Sequence, residues 1–64
     1  MRYLIRDGKV EFSGNKKEII KYIRECYNDE YWVRENYNIL DKDFDKLIYV
    51  LENIGLELRD KKPR

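Results

Sequence analysis

Between Asp41 and Leu58 the chain reads DKDFDKLIYVLENIGLEL, and within that stretch its hydrophobic period changes. Phe44, Leu47, Ile48, Leu51 and Ile54 recur at i, i+3, i+4, i+7 and i+10, which places them on one stripe of an α-helix. Asp41 is the expected N-cap, Asp43 and Asp45 put negative charge where the helix dipole favours it, and Gly55 falls where a left-handed residue would end the helix. Leu56 would then close a Schellman-type contact with Leu51. From Leu56 to Arg59 apolar and charged residues alternate, so the period becomes 2 and the chain leaves the helix as a strand. A helical stripe feeding an amphipathic strand requires a sheet to pair with and an apolar layer to cover it.

The N-terminal residues supply both. In RYLIRDGKVEF, Arg2 to Phe12, Asp7-Gly8 is a two-residue hairpin turn of the type that needs positive φ at both central positions. The turn sets Arg6 opposite Lys9, Ile5 opposite Val10 and Tyr3 opposite Phe12. Strict alternation then puts Tyr3, Ile5, Val10 and Phe12 on the buried face and Arg2, Leu4, Arg6, Lys9 and Glu11 on the other. Ser13-Gly14 breaks the strand. Asn15 and Glu18 have the spacing of a capping box for a helix from about Lys16 to Tyr27, with Ile19, Ile20, Ile23, Cys26 and Tyr27 on its apolar face. Residues 28 to 40 read as a short helix capped by Asn28 and carrying Trp32, Val33 and Tyr37, with Ile39 or Leu40 packing beneath the last helix.

The order is therefore ββα(α)αβ. The expected fold is a small α+β domain over residues 1–60, with a three-stranded, mainly antiparallel sheet packed on two or three helices and the third strand beside the first. Residues 61–64 form a basic, flexible tail. At 64 residues a folded chain withdraws only about 60 % of its unfolded surface from water. A bound partner or a homo-oligomer would suit so small a core. The exposed edge of the sheet is the place where copies could pair.

One cysteine, Cys26, rules out an internal disulfide, and its core spacing reads as a small buried hydrophobe. There is no charged-then-apolar leader and no apolar run near the ~20 residues that span a bilayer, so a cytoplasmic protein without a membrane partner is expected. Ala, Thr, Gln and His are absent while Lys, Glu, Ile, Asn and Tyr abound, a usage that suits an AT-rich genome.

Catalysis is poorly supplied. Without histidine, and with one serine and one cysteine, the common nucleophile-and-base arrangements are missing, and no Gly-rich phosphate loop is present. No enzyme and no cofactor are expected. Asp41, Asp43 and Asp45 with Glu52 at the twelfth position imitate an EF-hand loop, but Lys46 stands where the loop needs glycine and the helical stripe runs through it, so no metal site is assigned.

Charge is unevenly placed. Met1 to Arg24 holds seven basic residues against three acidic, Glu25 to Asn53 three against eight, and Ile54 to Arg64 four against two. The acidic third carries the most suggestive segment. Tyr27, Tyr31, Trp32 and Tyr37 are interleaved with Glu25, Asp29, Glu30 and Glu35, and partly exposed aromatic residues are the usual anchors of protein interfaces. The first functional reading is a small intracellular protein-interaction module, a regulator or inhibitor of the kind carried by phages and mobile elements. Its partner-binding residues would be Tyr27, Glu30, Tyr31, Trp32, Glu35 and Tyr37. The competing reading is that Trp32 and two of the tyrosines simply complete the core. The alternative function is nucleic-acid binding, with Lys17, Lys21 and Arg24 of the first helix on phosphates, supported by Arg2, Arg6 and Lys9 of the hairpin and by Lys61, Lys62 and Arg64.

Phe44 to Arg59, FDKLIYVLENIGLELR, is similar to the closing helix and strand of some Xre-type helix-turn-helix antitoxins. The similarity covers about a quarter of the chain. The preceding DNA-reading helices have no counterpart here and the N-terminal hairpin is foreign to that pattern, so membership of the family is not claimed.

Overall fold

The computed structural model describes residues 1–63; Arg64, one of the tail's basic residues, lies outside them. Six elements follow in the order β1 (Arg2–Arg6), β2 (Lys9–Gly14), α1 (Lys16–Cys26), α2 (Tyr31–Glu35), α3 (Phe44–Asn53) and β3 (Glu57–Arg59). The sheet is antiparallel with strand order β2-β1-β3, so the fold is α+β with the first strand at its centre.

The hairpin turn forms as its sequence requires, with Asp7 at φ 52° and Gly8 at φ 79°. Arg6 pairs with Lys9 and Ile5 with Val10. Beyond that point the expected register fails. Leu4 pairs with Phe12 and Tyr3 with Ser13, leaving Glu11 as the extra residue of a β-bulge. The bulge splits the expected face: Phe12 packs against the core as expected, but Val10 is no longer on its side. Leu4, flanked by Phe12 and Leu58, points into the helices and is fully buried, while Val10 is exposed. Ile5 is buried but lies outside the main apolar cluster. Ser13-Gly14 does not break the strand either: β2 runs on to a buried Gly14 opposite Arg2.

In α1, Asn15 and Glu18 make the capping box in full, each side chain bonding the other's backbone N–H at 2.8 and 2.9 Å. Ile19, Ile20 and Ile23 enter the core. Cys26 does not; it is exposed. It shares the i, i+4 side of the helix with Tyr22, and the larger ring is what packs there.

The short helix α2 is present, but its N-cap is Glu30, not Asn28, and no side chain caps it. Val33 anchors it to the core. A run of turns follows, in which Asn36 accepts from Ile39 N–H and Ile39 accepts from Lys42 and Asp43 N–H, and this folds Leu40 into full burial.

The N-cap of α3 is Asp43, whose carboxylate accepts from Lys46 N–H at 3.1 Å, and not Asp41. Its buried stripe is Leu47, Val50, Leu51 and Ile54; Phe44 stays at the rim under the cations of Arg2 and Lys16. The exit is a complete Schellman motif. Gly55 has φ 82°, Leu56 N–H donates to Leu51 C=O at 2.8 Å, and Gly55 N–H donates to Glu52 C=O at 3.3 Å.

Candidate functional site

Three clusters stand out, and the bulge creates the first. It turns Glu11 toward the helices beside Arg6, Tyr22 and Tyr27. Arg6 Nε donates to Glu11 Oε1 at 3.0 Å, and Tyr22 and Tyr27 both donate their hydroxyls to Oε2, Tyr22 at 2.9 Å. A second Arg6 nitrogen donates to Tyr27 Oη at 2.9 Å and to the Ile54 carbonyl at the end of α3 at 3.2 Å. Burial pushes the Glu11 carboxyl up, but the bonds from Tyr27, Tyr22 and Arg6 together outweigh it and hold the group below its ordinary value. Burial, then the bond to the Glu11 carboxylate, push the Tyr22 phenol up to about 12, and Tyr27 moves the same way. A carboxylate saturated by donors and phenols held neutral make a clasp between sheet and helices.

Tyr27, expected on a binding surface, belongs to this clasp. Its hydroxyl is committed in both directions, as donor to Glu11 and acceptor from Arg6. The same clasp removes Arg6 from the expected basic surface, and Arg2 is likewise held by Asp60 at 2.9 Å.

The second cluster is aromatic. Trp32 packs its body against the core and meets Tyr31 edge-to-face at 5.6 Å and Tyr49 edge-to-face at 5.4 Å. Tyr31 is 60 % exposed and Tyr49 48 %, so two wet rings flank a half-buried indole. Glu30 and Glu35 are exposed at either end of α2, and Tyr31 and Glu35 lie i, i+4 on one helix face. Tyr49 was not foreseen. Its signal was its place off the Leu47, Val50, Leu51 stripe, on the side of α3 that should have been polar.

The third cluster joins α1 to the turns after α2. Arg24 donates twice to the Tyr37 carbonyl, at 3.1 and 2.8 Å, pairs with Asp41 at 3.2 Å and lies 5.1 Å from the centre of the Tyr37 ring. Tyr37 is therefore not part of the aromatic cluster around Trp32, and Arg24 is engaged in holding a loop where free phosphate binding was expected. Lys17 and Lys21 stay exposed along the open groove that Arg24, Tyr37 and Asp41 also line.

Among the described residues no group of three or more His, Cys, Asp or Glu side chains could hold a metal ion, and no helix is long and apolar enough to cross a membrane. Comparison with protein-family models, with curated proteins and with solved structures gives no match.

Proposed function

We propose that this chain is a protein-binding module, a small cytoplasmic regulator or inhibitor, whose contact surface is centred on Tyr31, Trp32 and Tyr49 and oriented by Glu30 and Glu35. The observation that carries this reading is the exposure of Tyr31 and Tyr49 on either side of a Trp32 that packs against the core. Aromatic rings lose few rotamers on binding and each can bury about 150–250 Å², so three adjoining rings suit the centre of an interface. The flanking carboxylates favour a partner patch of opposite sign.

The test compares the wild-type chain with the Tyr31→Ala/Tyr49→Ala variant as baits in nuclease-treated lysate. Trp32 is left intact because it also packs on the core. A protein retained by the wild type and lost by an equally folded variant supports the proposal. Equal retention, or no retained protein, defeats it.

A further inference from the structure

The geometry points to a second, separate binding site, for the phosphates and bases of a single-stranded nucleic acid, in the groove between α1 and the Tyr37 turn. The open groove has a volume of about 650 Å³ and is lined by Lys16, Lys17 and Lys21, by Ile20 and Tyr37, and by Arg24 with the carboxylates of Glu25 and Asp41.

The charges in it are unequally spent. Arg24 and Asp41 neutralise each other at 3.2 Å. Lys21 has only a long contact to Glu25, at 3.9 Å and on exposed side chains, which is worth little in water. Lys16 lies 5.2 Å from the Phe44 ring centre, and Lys17 makes no ion pair among the described residues. Lys16 and Lys17 also occupy the first turn of α1, where the helix dipole is already positive and lysine is locally unfavourable. The Lys16 contact with Phe44 is all that the fold gains from that placement. An anion in the groove would gain from it, because side-chain charge and helix dipole add there.

Spacing and chemistry narrow the class of anion. Lys17 and Lys21 are four residues apart on one helix face, about 6 Å along its axis, a separation suited to successive phosphates of an extended strand. Tyr37 is 42 % exposed, and Arg24 bonds its backbone and lies 5.1 Å from its ring centre, so a partly exposed aromatic ring is anchored in the groove lining beside the cations. Lysines tracking a backbone beside a fixed aromatic ring are the elements of single-strand binding, which is indifferent to sequence because every base has a π-face. A duplex, its bases already stacked, cannot use the ring. Neither Arg6 nor Arg2 lines the groove.

The experiment is fluorescence anisotropy of a labelled oligothymidylate titrated with the full chain at low salt. Binding is expected, weaker for a duplex of the same length, with log K falling against log salt at roughly −0.7 per phosphate neutralised, about −1.4 for Lys17 and Lys21 together. Lys17→Glu/Lys21→Glu should abolish it. The charge-matched control Arg34→Glu/Lys42→Glu, on exposed residues that do not line the groove, should leave it. Tyr37→Leu should weaken it roughly five- to 150-fold, and Tyr37→Phe should restore it. Circular dichroism of each variant separates loss of binding from loss of fold. No binding by folded wild type, equal loss in the charge-matched control, or preference for polyglutamate over the oligonucleotide would overturn the assignment.

Discussion

Glu11 binds three side chains through one carboxylate: Arg6 of β1, Tyr22 of α1 and Tyr27, the C-cap of that helix, with Arg6 reaching on to the carbonyl of Ile54, the C-cap of α3. Both Glu11 oxygens, both phenol oxygens and two of the three Arg6 nitrogens have partners, so removing one member leaves others unsatisfied, at about 1–3 kcal/mol for a half-buried group. Glu11→Gln should lower the free energy of unfolding by that amount in urea, and Tyr27→Phe by a similar or smaller one; no change in either would make the clasp ornamental. The same groups fix the pH dependence. The Glu11 carboxyl is depressed in the folded state, so its contribution is complete above the ordinary glutamate value of about 4.3 and is lost as pH falls through the lower folded value. The Tyr22 phenol is raised, so its contribution is complete below the ordinary tyrosine value of about 10 and is lost as pH rises toward about 12. Urea midpoints should therefore fall at both extremes, and Glu11→Gln should flatten the acid limb.

At the scale of elements, the two ends of α3 differ in how plainly they were written. Gly55, Leu56 and Leu51 specified the exit because a Schellman motif needs only residues adjacent in sequence. The entrance lies two residues beyond the expected Asp41, since Asp41 and Asp43 are both competent caps and a contact from Arg24, seventeen residues upstream, takes Asp41. Asp43→Ala should cost about 1 kcal/mol at any salt concentration. Asp41→Ala should cost under about 1 kcal/mol and fade with salt. Reversal of that order in denaturant titrations would restore Asp41 as the cap. The hairpin repeats the lesson. Asp7-Gly8 set the first two pairs, but the bulge at Glu11 rests on Arg6, Tyr22 and Tyr27, of which two come from another element, and no alternation of apolar and polar residues announces it. Of the expected binding residues, Tyr31 and Trp32 were legible as an aromatic cluster, whereas Tyr49 joined them only when α3 was laid beside α2. Tyr27 and Tyr37 left it for Arg6 and Arg24.

The molecule as a whole exposes 4613 Å², close to the ~4450 Å² of a folded monomer of 8.0 kDa. It completes its own core. Its sheet edges are poor templates for self-pairing, because β2 is bent by the bulge and β3 has only three residues. Light scattering at micromolar concentration should return a monomer mass near 8.0 kDa; a dimer would show that an edge or the outer face of the sheet is in use. The central place of β1 also puts the parts of the fold on different clocks. Its pairing with β2 crosses a two-residue turn, an event of about 1–10 μs. Its pairing with β3 sets Leu4 beside Leu58 and must wait until the intervening helices have carried the far end of the chain back. The hairpin is thus ready early, one edge vacant, and the last strand to arrive is the one that locks the helices over it.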